Sequence, residues 1–596
     1  MTAVTAPTVL QTNTFAKESL REVIGVASIA GLTMIYVSAI GMVVAFNERL
    51  IIDPILTMGY LVLFSIPVFA GRRFTRREAL EGLEVAPLSQ GDIAKAAVAG
   101  ALAGLLLAAF ALIVDTFPQL RGTFPNLSPK MVELITLGYG TSAAFVVLPV
   151  VSALLAAIGG SVAWLPRKLY KALLVGISTV LITSVFDAVI DDFFDWLPAI
   201  PDFLYAPVSG LTVVSAIVVF LLSATLSFVL SGRDTSLRDR LATSASVSGK
   251  RNQMILIGLL GIAIIVFPQF LGGILNELFT NVGFFLIMAL GLNVVVGYAG
   301  LLDLGYVAFF AVGAYTMAIL TSPLSPFFSP ELSWWLAFPF VLIVATIAGL
   351  LVGTPVLRMR GDYLAIVTLG FGEIVRITLL SDWLAPLFGG AQGIRQIPGI
   401  QVADTEVSAI TPELMIYAMM AFVFLAAYIS WRIEDSRVGR AWAAMREDED
   451  VAEAVGVDTV KAKLMAFITG AIIASFAGAL FAAKVGSVFA SSFQIVTSII
   501  ILVIVIVGGM GNIAGVAVGA LILVGILGGP NQPGLLQEFG QFKLLLYGAL
   551  LVYMMLKRPE GILPSKQRQQ ELHQEEVLQD AWLDKQAQTA ELEGES

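Results

Sequence analysis

The chain of 596 residues contains no cysteine and only one histidine, His573, in a polar stretch near its end. Without cysteine there is no disulfide, no thiolate nucleophile and no cysteine-ligated metal. With one histidine, outside the apolar body, a Ser-His-Asp triad or a histidine-ligated zinc centre in that body is excluded by inventory. Charge is also scarce. Only 13% of residues are Asp, Glu, Lys or Arg, where a soluble domain carries about 25%. The net charge is −9, which argues against binding a phosphate backbone, so no nucleic-acid partner is expected. What remains is apolar: 57% of the chain is hydrophobic and the mean hydropathy is +0.88. That balance excludes a soluble enzyme and a disordered protein. No catalytic residue and no metal site is assigned.

A membrane-crossing helix needs about 20 mostly apolar residues. By that measure the expected fold is all-α: a polytopic membrane protein of about sixteen transmembrane helices. Six are expected at roughly 23–46, 54–70, 93–114, 132–158, 172–190 and 206–230, and ten at roughly 253–276, 281–299, 305–322, 335–357, 363–380, 412–431, 464–484, 495–508, 512–529 and 542–556. No cleavable signal peptide is apparent. The connections after every second span are basic, among them Arg72, Arg73, Arg76 and Arg77, and Arg233, Arg238 and Arg240. The positive-inside rule therefore predicts cytoplasmic N- and C-termini in a plasma membrane surrounded by lipid.

The polar stretch Ser231–Asn252 divides the chain into a six-span region, 1–252, and a ten-span region, 253–564. An acidic tail follows at 565–596. In the first region Gly100 and Gly104 form a GxxxG, a spacing that lets helices approach closely. Asp187, Asp191 and Asp192 read as solvated loop acids at an outer end. In the tail, Leu572, Leu578 and Trp582 outline a short amphipathic helix, and a solvated terminus is the other reading.

The ten-span region carries the unusual segments. Around residues 293–314 Asn293, Gly297, Gly300 and Gly305 interrupt an apolar run that contains Asp303. Glycine here either admits a close neighbour or lets a helix break beside a cavity. A carboxylate in lipid costs roughly 2.5–3.5 kcal/mol, so Asp303 sits at a loop, faces water or is paired. Gly370, Gly372 and Glu373 lie in a later span, with Arg376 placed to pair with Glu373 at i+3. That pair is either structural or part of a translocation path. Gly389–Gly393 reads as a loop or as an anion-binding turn. The polar connection 436–463 contains a helical run, Ala441–Val455, ended by Gly456, after which Asp458 or Thr459 can cap the next helix. An exposed helix of this kind, bearing Arg446-Glu-Asp-Glu-Asp450, suits a cytoplasmic partner or an ordinary solvated connection. No GxxxxGK[ST] occurs; Gly249-Lys250 is followed by Arg251, so the chain has no such loop to cradle ATP phosphates.

The segments GLNVVVGYAGLLDLGYVAFFAVGAYTMAIL (291–320), GTPVLRMRGDYLAIVTLGFGEIVRI (353–377), REDEDVAEAVG (446–456), IVGGMGNIAGVAVGA (506–520) and KRPEGIL (557–563) closely resemble the LivM-type permease of branched-chain amino-acid ABC importers. The resemblance covers roughly 280–563 in ordered blocks and leaves 1–252 unmatched, as an accessory region. It implies an importer permease fold in the C-terminal ten helices. It also implies alternating access driven by separate chains, and no cofactor in this chain, with ATP and Mg on the partner ATPase subunits. The implied partners are a second, LivH-like permease subunit, two ATP-binding subunits and an extracytoplasmic substrate-binding protein. The 446–456 loop looks like the family's coupling helix, so Arg446, Glu447, Glu449, Ala452, Glu453, Ala454 and Gly456 are the expected ATPase coupling residues. The usual pair of alanines after the acidic run is here Val451 and Ala452. Asn293, Gly297, Gly300, Asp303, Gly305, Gly370, Gly372 and Glu373 are the expected substrate path. A carrier of urea or short amides is the nearest alternative. An ion-coupled transporter using Asp303 and Glu373 is the rival class.

Overall fold

Apolar runs this long satisfy their backbone hydrogen bonds internally by forming helices, and the computed structural model of the chain is mostly helical. It describes residues 9–75, 90–230 and 266–565, apart from 196, 208, 357–358, 360–361, 403–404, 531 and 533. The tail 566–596 and most of the span expected at 253–276 lie outside the described residues. The chain divides into two compact units, Met1–Ile255 and Leu256–Ser596.

In the first unit the main helices are α1 (Val9–Ala39), α2 (Met58–Arg73), α3 (Gln90–Thr116), α4 (Gly140–Ser161), α5 (Arg167–Val185) and α6 (Val213–Leu230). The most extensive packing joins α3 to α4, and the GxxxG lies in it. A Cβ on Gly100 would run into the Ser152 carbonyl, and one on Gly104 into the Leu148 carbonyl. A small sheet of order β2-β1-β3 joins Leu50–Asp53 (β1) to Leu56–Thr57 (β2) and Leu211–Thr212 (β3). Beside it Arg49 donates to Asp187 at 2.5 Å and to the Val185 carbonyl at 2.8 Å. Asp187 is therefore half-buried and paired rather than a solvated loop acid. Its partner lies 138 residues away in sequence, where no local pattern reveals it. Asp191 is exposed.

The second unit contains α7 (Gly272–Leu292), α8 (Val307–Thr321), α9 (Trp334–Val356), α10 (Asp362–Leu380), α11 (Pro412–Glu434), α12 (Arg437–Glu447), α13 (Glu449–Ala454), α14 (Thr459–Val485), α15 (Ile495–Gly508), α16 (Ile513–Ala520) and α17 (Lys543–Lys557). A π-helical turn, Asn293–Tyr298, prolongs α7, and another, Leu521–Leu527, prolongs α16. The core is α7 and α14, with α8 and α15 against them. The most apolar window of α7 is 89% buried, which makes it the central helix. Trp334, Phe338, Phe422 and Phe476 pack ring against ring and tie α9 and α11 to α14. Opposite the end that carries α12 and α13, Ile394–Arg395 (β4) pairs with Ser487–Val488 (β7). Ile400–Val402 (β5) forms a hairpin with Thr405–Val407 (β6). The α12–α13 end is called the loop end below and the other the far end.

Among the described residues, eleven helices are long and apolar enough to cross a membrane, fewer than the sixteen expected. The chain is a multi-pass membrane protein. Of the other five expected spans, four fold as the shorter helices α2, α8, α17 and α16 with its π turn. The fifth, 253–276, is largely undescribed. A helix of 15 residues rises only about 22 Å, short of a hydrocarbon core of about 30 Å.

The α3–α4 contact gives a direct test. Gly104→Ala should destabilise the protein by about 1–3 kcal/mol, as overpacking does. Gly25→Ala, where nothing lies within 4 Å of the added Cβ, should be neutral or slightly stabilising. Thermal unfolding in detergent would show the difference, and equal Tm values would contradict it.

Candidate functional site

Between the π turn and α8 the chain leaves the helix over residues 299–306. The break lies beside Thr368, about 9 Å along α10, and beside Ser498, inside the Ala490–Gly508 span. Several of its polar groups are bound by protein. The Leu304 N–H donates to Thr368 Oγ1 at 3.1 Å, and the Val307 N–H donates to Ser498 Oγ at 2.9 Å. The Gly305 N–H donates to Asp303 Oδ1 at 2.9 Å, an Asx-type turn. Asp303 is 1% exposed, and its second oxygen has no hydrogen-bond partner among the described residues. Gly305 and Gly372 lie back to back where the break crosses α10.

The loop-end side of the break is fastened to α12. Arg446 donates through Nη1 to the Gly297 carbonyl at 2.7 Å, across 149 residues of sequence. Gly300 adopts φ +71°, a left-handed conformation that favours glycine, and a Cβ there would meet the Arg446 side chain. Asn293, fully buried, accepts the Gly511 N–H at 2.8 Å. Gly297 and Gly300 thus form the seat of Arg446, with Asn293 joining the same place through Gly511. Asp303, Gly305 and Gly372 form a second cluster against α10. Tyr298 donates to Glu434 at 3.3 Å beside a cleft of about 1000 Å³, also lined by Tyr428, Trp431, Arg446 and Asn512.

The expected helix Ala441–Val455 is two helices. Asp448 is extended, with φ −157°, and its carboxylate accepts the N–H groups of Asp450 and Val451 at 2.9 and 3.0 Å. A carboxylate that caps a new helix competes with continuing the old one, so α12 stops at Glu447 and α13 starts at Glu449. Ser436 caps α12, and Asp458 caps α14 by accepting the Lys461 N–H. The Lys461 side chain, then its backbone N–H, hold the Asp458 carboxyl below the usual range. Gly456, at φ +94°, ends α13. The pair is tied down by Trp442, buried and donating to the Ala462 carbonyl at 2.8 Å, and by Lys463, buried and 2.6 Å from Glu449. Ala452 is buried, while Glu447, Glu453, Ala454 and Gly456 are exposed together with Val451 and Val455.

Gly370 and Glu373 stand apart from both clusters. Nothing lies within 4 Å of a Cβ on Gly370. Arg376 donates through Nε to the Glu373 oxygens at 3.0 and 3.1 Å and through Nη2 to Oε1. The pair is partly exposed on a face of α10 that also exposes Ile366, Ile374 and Ile377. In the turn Gly389–Gly393 the N–H groups of Gly389, Gln392 and Gly393 are bound to neighbouring carbonyls.

Residues 274–555 match the family described as branched-chain amino acid transport system / permease component. The high-affinity branched-chain amino acid transport system permease proteins LivM of Salmonella typhimurium and Escherichia coli are each 38% identical over 343 residues. The match covers 54% of this chain and 77% of each relative. The chain belongs to this permease family. A Methanocaldococcus jannaschii protein, described as a probable branched-chain amino acid transport permease protein LivM, is 26% identical, with 91% of its length covered. No solved structure matches.

A permease of this family is a transport component rather than an enzyme. Three of the five segments that carry the resemblance, 291–320, 446–456 and 506–520, supply Gly297, Arg446 and Gly511, which lie together here. Sequence reasoning missed Lys463, Trp442 and, at the far end, Lys484 with Glu277. The signal for Lys484 was present, because a lysine in the apolar run FAAKVG is a functional candidate by default. Breaking the buried Lys463–Glu449 pair from one side should be costly. Lys463→Met should lose about 3–5 kcal/mol, and Lys463→Met with Glu449→Gln should recover most of it. A double-mutant cycle on detergent-purified protein reads this out, and simple additivity would count against the pairing.

Proposed function

We propose that this chain is a permease subunit of an ATP-driven importer for branched-chain amino acids, working in a prokaryotic plasma membrane. In this reading the loop end is cytoplasmic, both termini are inside, and sixteen crossings remain the full count. ATP and Mg belong to two separate ATP-binding subunits, and the chain itself holds no cofactor. Residues 1–252 are an accessory region and 565–596 a cytoplasmic tail.

The observation that carries the reading is the mounting of the 436–458 loop. Its two capped helices offer Val451, Glu453, Val455 and Gly456 to a partner, while Arg446 fastens the same loop to the broken segment at Gly297. A push on the exposed tip therefore reaches residues 293–306 through one charged hydrogen bond, worth about 1.5–3 kcal/mol. An ATPase that closes on the loop can bias the break between two arrangements, the coupling that alternating access needs. The α10 face with the Glu373–Arg376 pair is costly in lipid. It suits the second, LivH-like permease subunit and the path between the two, which an extracytoplasmic binding protein would supply.

Leucine uptake by cells carrying the full system tests this. Uptake should require the ATPase subunits and survive an ionophore. Uptake abolished by the ionophore yet indifferent to loss of the ATPases would establish ion coupling instead, and uptake of urea without leucine would reassign the substrate. Replacing Glu453 and Gly456 together should uncouple ATP hydrolysis from uptake without loss of membrane insertion; normal uptake by that variant would contradict the coupling role.

A further inference from the structure

At the far end of the second unit the structure holds a cavity of about 240 Å³ that the coupling account does not use. Its walls are aromatic and aliphatic: Phe284, Met288, Phe310 and Phe481, with Thr497 and Gln532 as polar members. The rings hold one another in edge-on contact, Phe284 to Phe481 at 5.9 Å and Phe310 to Phe481 at 5.3 Å. It is smaller than the roughly 300–1,000 Å³ of pockets for drug-sized ligands, a size for one compact aliphatic group.

Two charges of opposite sign stand beside this wall. Lys484 Nζ is 5.6 Å from the centre of the Phe284 ring, a cation–π distance, and donates to Glu277 at 2.6 Å and to Asn281 at 2.8 Å. The two partners are unequal: the Lys484 side chain is 6% exposed and that of Glu277 46%. Glu277 can turn to water at little cost, whereas Lys484 must keep an anion. Gln532 Oε1 is buried without a hydrogen-bond partner among the described residues.

We propose that this is a binding station for the carried amino acid. The branched aliphatic side chain fills the aromatic cavity, the α-carboxylate takes Lys484, and the α-ammonium is received by Glu277 and by the free Gln532 oxygen. A purely structural ion pair would need neither the cavity nor the unpaired acceptor. The assignment rests on the branched-chain reading above and places the first intramembrane contact at the end opposite the ATPases.

The chain has no cysteine, so a single introduced thiol reports alone. Thr497→Cys, in the full chain in lipid nanodiscs, should react with methyl methanethiosulfonate. Leucine at ten times its Kd should slow that reaction about tenfold; aspartate and leucinamide should not. Ile410→Cys, on a residue 91% exposed, should react without protection. Adding Lys484→Gln should abolish the protection by leucine and leave the labelling itself unchanged. If Thr497→Cys does not fold, Ser492→Cys in the same lining reports in its place. A thiol that cannot be labelled, or labelling that leucine does not slow while the intact importer still carries leucine, overturns the station alone. Absence of leucine uptake by the intact importer overturns the function on which it rests.

Discussion

A backbone that leaves the helix among membrane spans finds no water there, so each exposed N–H and carbonyl must be bound by protein or cost several kcal/mol. Residues 293–306 are under that constraint, and much of the second unit is arranged to meet it. Thr368 of α10, Ser498 of α15, Asp303 of the break itself and Arg446 of α12 each supply a hydrogen bond. Glycines 297, 300, 305 and 372 let the supporting elements come close enough to do so. The helix that supplies Arg446 is also the one beside the exposed docking tip. Support of the break and attachment of the loop are thus one interaction seen from two sides.

The same constraint explains why the break is plausible as a moving part. A π turn, Asn293–Tyr298, precedes it, and such turns mark positions where a helix can change register at functional sites. The Leu304 and Val307 N–H groups donate to the hydroxyl oxygens of Thr368 and Ser498, side chains that can rotate. Asp303 keeps one oxygen without a partner among the described residues. The segment is held by these bonds in this arrangement and retains acceptor capacity for another.

Much of this was legible in the sequence because it is local. Runs of apolar residues read as helices, and glycines with a carboxylate in one of them marked the segment that breaks. The polar 436–463 connection announced helices outside the spans. What could not be read is non-local. Nothing in the sequence pairs Arg446 with Gly297, Arg49 with Asp187 or Lys484 with Glu277. Local competition was misjudged at Asp448, where a side-chain cap splits one expected helix into two. Hydropathy alone also does not show that α8, preceded by the break, and α16, even with the π turn that prolongs it, are helical over fewer than about 20 residues. Nor does the sequence show that Gly297 and Gly300, expected along a path, also receive the Arg446 side chain.

The central claim is that loop and break move as one through Arg446. Hydrogen exchange on the assembled importer, nucleotide-free and trapped with ATP and vanadate, tests it directly. Trapping should change exchange in both 436–458 and 293–306. In an Arg446→Ala importer the change should persist in 436–458 and vanish from 293–306. A change in 293–306 that survives Arg446→Ala, or that is absent from the wild type, would contradict the account.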